Sequence, residues 1–143
     1  MSIQEIQQQI VDEFAFFDDW QQKYEYIIEL GKSLPSIAEE EKQEDKLIKG
    51  CQSNVWLLAE YKDNKLNFRA DSDGILTKGM VALLLRIFSN QNTEDIIQAN
   101  TDFIEKIGLH EFLSPNRANG LMSMIKQIKY YAMAYKIKSE NTA

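Results

Sequence analysis

Val55-Trp56-Leu57-Leu58-Ala59-Glu60-Tyr61, then Lys62-Asp63-Asn64-Lys65, then Leu66-Asn67-Phe68-Arg69-Ala70, is the stretch that decides the fold of this 143-residue chain. The first segment reads as a strand with apolar residues on both faces. Four polar residues make a turn, and Leu66, Phe68 and Ala70 alternate on the return strand. A lone hairpin is marginal in water, so one face of this small sheet needs helices packed against it. On both sides of the hairpin the apolar period changes from two to 3.6. The order is helices, a small antiparallel sheet, then helices, which defines an α+β chain.

Upstream, Ser2 and Glu5 have capping-box spacing, and Ile3, Ile6, Ile10, Phe14 and Phe17 recur at helical period. Asp18 or Asp19 caps a second helix whose Trp20, Tyr24, Ile27 and Ile28 share a face. Gly31 reads as its stop, and Pro35 prevents resumption. Residues 32–46 read as a polar connection whose Glu39, Glu40, Glu41 and Glu44 face Lys42 and Lys46 as a solvated charge run. Lys46 to Lys49 reads as a short strand leading to Cys51. Downstream, Asp71-Ser72-Asp73-Gly74 supplies helix-start chemistry for Ile75 to Phe88, which is apolar nearly all round and therefore the most buried helix. Thr93 caps a short helix, Asp102 to Ile107 form another stopped by Gly108, and Ser114-Pro115 opens the last. Its Leu121, Met124, Ile125, Ile128, Ala132 and Tyr135 lie on one face. The tail 138–143 reads as polar and frayed. Without repeats or low-complexity tracts, residues 1–143 read as one domain with its core in 3–137.

The composition, 44% apolar and 27% charged, is that of a soluble globular protein. A net charge of −6 argues against a nucleic-acid surface, which relies on clustered Lys and Arg. No apolar run approaches the ~20 residues that span a bilayer. The first residues lack a secretory signal, and one unpaired thiol suits a reducing compartment, so a cytoplasmic location is expected.

Cys51 is the only cysteine, in Lys49-Gly50-Cys51-Gln52-Ser53-Asn54-Val55-Trp56. It can form no internal disulfide, and alone it cannot hold a structural zinc. A free cysteine is more often buried and inert, but Gly50 and the polar Gln52, Ser53 and Asn54 make this one a loop tip. A cysteine hydrolase needs a base, and the single histidine, His110, reads as a surface or helix-end residue. Metal, P-loop and dinucleotide patterns are lacking; Lys78-Gly79 has no upstream glycine partner. Thiol exchange needs no more than a thiolate, an in-line sulfur electrophile and a leaving group.

Four blocks in order resemble the SufE family of sulfur-acceptor proteins from Phe14 to Tyr135. They are Trp20-Gln21-Gln22-Lys23-Tyr24 through Leu34-Pro35; Ile48 and Gly50-Cys51-Gln52-Ser53 with Val55-Trp56; Phe68-Arg69-Ala70-Asp71-Ser72-Asp73 with Lys78-Gly79; and Leu113-Ser114-Pro115-Asn116-Arg117-Ala118-Asn119-Gly120-Leu121. Gly74 and Thr77 depart from the family pattern, where alanine and a larger aliphatic residue are expected, and this predicts a looser helix start. The resemblance implies a SufE/IscU-like fold with the cysteine on a loop at one end. It implies that a pyridoxal-phosphate cysteine desulfurase of the SufS type loads sulfur onto Cys51 and is stimulated by doing so. The persulfide then passes to a SufB-containing SufBCD scaffold for iron–sulfur cluster assembly.

By position, Asp73 and Arg117 match residues linked to the cysteine loop and to desulfurase docking, while Gly50, Gln52 and Ser53 are candidates for loop support or partner docking, Gln52 either shaping the loop or contacting the incoming sulfur. Asp73 as a simple helix cap remains an equal alternative, and Arg117 reads as a docking contact or buried ion pair. The cofactor belongs to the desulfurase; no cofactor or metal is expected on this chain. A non-covalent adaptor with a structural cysteine is the alternative reading. Dimerisation, the identity of the desulfurase and the final recipient stay open.

Overall fold

The computed structural model describes residues 1–141. Among them are seven α-helices and one two-stranded antiparallel sheet. Strands β1 (Val55–Lys62) and β2 (Lys65–Ser72) pair from Val55↔Ser72 to Lys62↔Lys65. Asp63 (φ 54°) and Asn64 (φ 62°) both take the left-handed conformation, as a two-residue hairpin turn matched to strand twist requires. Val55, Leu57, Leu66, Phe68 and Ala70 are buried on the covered side.

Helix α3 (Ile75–Phe88) is the centre, burying Leu76, Met80, Val81, Leu83, Leu84, Ile87 and Phe88 in one core. Helices α1 (Ile3–Phe14) and α2 (Trp20–Lys32) lie against it. Ser2 and Glu5 form the capping box, and Asp19 caps α2 by accepting from Gln22 N–H. Phe17 falls beyond α1 yet packs edge-on to Phe14, 6.4 Å between ring centres. Arg86 of α3 makes a forked ion pair with Glu13 of α1, which also accepts from the Tyr26 hydroxyl of α2. The Arg86 hydrogen bond holds the Glu13 carboxyl below its usual range.

Gly31 does not end its helix. It lies inside α2, where a Cβ would stand 2.7 Å from the Gly79 nitrogen. The glycine marks a close helix crossing rather than a stop, and α2 ends at Lys32 with Ser33 as its cap.

Beyond α3 come α4 (Thr93–Gln98), α5 (Asp102–Lys106), α6 (Leu109–Phe112) and α7 (Pro115–Asn141). Asn92, not Thr93, caps α4, accepting from Asp95 N–H at 2.8 Å. Gly108 separates α5 from α6 at φ +79°, beside the Trp20 ring. Lys129 of α7 donates to the Ile97 and Ala99 carbonyls, tying α7 to the end of α4. The expected frayed tail is instead helical from 138 to 141, and 142–143 lie outside the described residues.

The expected strand over Lys46–Lys49 is reduced to one bridge, Leu47↔Trp56, after two 3-10 turns at Glu39–Glu41 and Glu44–Lys46. The charge run in these turns is partly anchored. Asp71, 5% exposed, faces Lys42 at 3.4 Å and Lys78 at 3.3 Å and accepts from Ser72 N–H, while Lys42 also lies over the half-buried Trp56 ring. Burial works against the Asp71 charge, but the Ser72 N–H and the two lysines outweigh it and hold its carboxyl below the usual range.

A carboxylate depressed in the folded state stabilises above its unfolded pKa of about 3.9, and that contribution is lost as pH falls through the lower folded value. Asp71→Asn is therefore expected to cost about 2 kcal/mol at neutral pH, less than a fully buried pair because both lysines stay partly hydrated. The gap between variant and wild type should close on acidification below about pH 4, measured by urea unfolding across pH. A gap that stays constant across pH would contradict the ionic role.

Candidate functional site

Residues 48–55 form a loop closed at its base and tipped by Cys51. The Ile48 N–H donates to the Val55 carbonyl at 2.9 Å, so the loop leaves and re-enters beside the sheet end. Gly50 turns it at φ +91°, a conformation that disfavours any side chain, and a Cβ there would stand 2.8 Å from Ser123 Oγ.

On the far side Asp73 fixes Asn54. Its carboxylate accepts from the Asn54 backbone N–H at 3.0 Å and from Asn54 Nδ2 at 2.9 Å. The Ser72 hydroxyl and the Asp73 N–H both donate to the Asn54 carbonyl, at 2.8 and 3.3 Å. Asp73 is thus a loop clamp and not the helix cap: Gly74 occupies the cap of α3 without a side-chain bond. The departure at Gly74 also has a local reason, because a Cβ there would come within 2.2 Å of Ser53 Oγ.

Between these supports Cys51 is half-buried and rests on α7. Its Sγ lies 3.7 Å from the Gly120 carbonyl oxygen, and a Cβ on Gly120 would sit 3.6 Å from Sγ. The thiol therefore points its weak donor at a carbonyl, and burial pushes its pKa up. Both effects favour S–H over thiolate, so the resting thiol is a poor nucleophile.

Gln52 is exposed, and Ser53 is half-buried under Gly74. Arg117 is exposed in the first turn of α7, one turn before Gly120, and no ion pair among the described residues involves it. The buried ion pair expected there is absent from the described residues; a solvent-facing cation one helical turn before Gly120 remains. His110 is exposed in α6. Gly120 and Ser123 complete the site without having been singled out in the sequence, and Asn54, read there only as a polar loop residue, is the one the clamp holds. Gly120 lay inside a recognised block, but a helix–loop contact across 69 residues leaves no local pattern.

Among the described residues no group of His, Cys, Asp and Glu is arranged to hold a metal ion, and no helix is long and apolar enough to cross a membrane.

The family model for SufE, an Fe-S metabolism associated domain, matches residues 8–132. A SufE-like protein of Rhizobium meliloti is 44% identical over 126 residues, covering 85% of this chain and 90% of that protein. One from Synechocystis is 35% identical over 128 residues, covering 90% and 80%. A chloroplastic/mitochondrial SufE-like protein 1 of Arabidopsis thaliana is 34% identical across 93% of this chain, which spans 36% of that longer protein. The solution structure of a hypothetical protein from Thermus thermophilus superposes with a TM-score of 0.75 at 17% identity, covering 90% of this chain and 94% of that one.

Proposed function

The chain belongs to the SufE family of Fe-S metabolism, and from that premise we propose that it is a sulfur carrier that accepts persulfide sulfur on Cys51 from a SufS-type cysteine desulfurase. The observation that carries this reading is the placement of the single cysteine. It sits at the tip of a loop with a glycine hinge on one side and a carboxylate clamp on the other, half-buried and held as a thiol.

In the proposed step the Cys51 thiolate attacks the terminal sulfur of the donor's cysteine persulfide. The donor's S–S bond breaks, its cysteine leaves as a thiolate, and Cys51 becomes the persulfide with no external oxidant or reductant. The pyridoxal phosphate that generates the sulfur belongs to the donor. Passage to a SufBCD-type scaffold in the cytoplasm completes the proposed route. Removing the donor's persulfide frees it for another turnover, so the chain also stimulates it. Arg117 and the exposed Gln52 are proposed docking contacts around the loop, with Asp73 setting how readily the loop opens.

The test is alanine release from cysteine by the desulfurase as this chain is titrated in. A rate that rises and saturates supports the proposal; a flat rate overturns it. A second expectation concerns the clamp. Asp73→Ala releases Asn54 and should speed alkylation of Cys51 several-fold in an iodoacetamide time course, with little change in thermal midpoint. Equal labelling rates would show that Asp73 does not restrain the loop.

A further inference from the structure

Beside the Cys51 loop runs an open groove of about 360 Å³, walled by Leu47, Ile48 and Lys49 on one side and by Ser123, Lys126 and Tyr130 of α7 on the other. Resting on the sulfur-carrier reading above, we propose that this groove docks an acidic segment with an apolar anchor, carried by the protein that donates sulfur to Cys51.

Charge sets the chemistry of the occupant. The lining holds two ammonium groups and no carboxylate, on a chain whose net charge is −6. A local basic strip on an acidic surface selects a carboxylate-bearing partner and repels a second copy of the chain as a whole. The apolar part comes from α7. Tyr130 is 65% exposed, and Met133 and Ile137 follow it at helical steps, 46% and 51% exposed. An exposed tyrosine beside cations is a frequent anchor point at protein interfaces.

Geometry ties the groove to the donor's encounter in particular. Cys51 Sγ lies against the Gly120 carbonyl, and on the sulfur-carrier reading the protein that has to draw it out is the one that loads it. Lys49 immediately precedes the Gly50 turn, and Ser123 both lines the groove and abuts Gly50. A segment seated across Lys49 and Ser123 therefore bears on the loop stem and on the helix that shelters the thiol. Occupancy of the groove and release of Cys51 are mechanically linked.

The test uses the full chain and the SufS-type desulfurase of the same organism. For Lys49→Glu with Lys126→Glu, the dissociation constant by calorimetry and the concentration for half-maximal stimulation should both rise about tenfold, with wild-type affinity itself falling as salt is raised. A control pair at the hairpin turn, Lys62→Glu with Lys65→Glu, carries the same charge change away from the groove and should stay within about twofold. If the charge reversal lowers the thermal midpoint, Lys49→Gln with Tyr130→Ala takes its place. Equal weakening by both pairs would reduce the effect to net charge and overturn the proposal. Unchanged desulfurase binding, whether or not delivery to the cluster scaffold slows, would overturn it too, while wild-type loading would keep the carrier reading. A wild-type chain that neither binds nor loads would remove that reading itself.

Discussion

Cys51→Ser is expected to reduce sulfur loading from a cysteine desulfurase to background while leaving the fold intact. A hydroxyl is not appreciably ionised at neutral pH, whereas a thiol of ordinary pKa ~8.5 is ionised to a few per cent. Burial raises the Cys51 pKa and lowers the thiolate fraction further. Structurally the change is small. Cys51 is half-buried, and its contact with the Gly120 carbonyl is a weak sulfur one at 3.7 Å that the shorter serine side chain gives up at little cost. The thermal midpoint should therefore move by less than the equivalent of about 1 kcal/mol. Alanine release by the desulfurase distinguishes the two readings of this cysteine. A covalent acceptor loses its stimulation with Cys51→Ser; a non-covalent adaptor with a structural cysteine keeps it in full.

The largest effect on stability is expected from Gly79→Ala. A Cβ at Gly79 would stand 2.1 Å from the Ile27 carbonyl oxygen, and one at Gly31 would stand 2.7 Å from the Gly79 nitrogen. Both obstacles are backbone, so no side chain can swing aside and the α2–α3 crossing itself must open. The cost should reach about 3 kcal/mol, the upper end for overpacking, or about 10 °C in Tm for a chain of this size. Gly120→Ala is the comparison. Its Cβ would meet Cys51 atoms at 3.6–3.8 Å, ordinary contact, and alanine is the better helix former. Its Tm should stay level or rise. Similar losses at both positions, by thermal unfolding, would contradict the close-crossing account.

These glycines also show where sequence reasoning stops. The hairpin and α3 were legible because their signals are local: alternation about a polar turn, and a run apolar on every side that has to be central. Gly31 was legible as a glycine near a helix end but not in its role, because its reason lies on another helix, at Gly79. Of the two readings of Asp73, the helix cap fails for the same cause. Asp-Gly before a helix satisfies the local rule for a cap, yet the carboxylate turns to Asn54, 19 residues earlier, and leaves Gly74 to start the helix. Lys46–Lys49 fails as a strand because it makes one bridge, Leu47↔Trp56, and one bond from the Ile48 N–H to the Val55 carbonyl before the loop begins.

The cysteine itself was legible from its uniqueness and its polar, glycine-led setting. Its resting place was not, since Gly120 and Ser123 reach the loop from a helix 69 or more residues away. The asymmetry is physical. Propensity and period report on neighbours in sequence, whereas the surroundings that set a thiol's charge and exposure are assembled by packing.

The central claim, that sulfur resides covalently on Cys51, is met most directly by intact-mass and peptide mass spectrometry of the chain after incubation with a SufS-type desulfurase and free cysteine. The account predicts a gain of one sulfur atom on the peptide containing Cys51, removed by a thiol reductant. A chain that remains unmodified at Cys51 while the desulfurase turns over would contradict it.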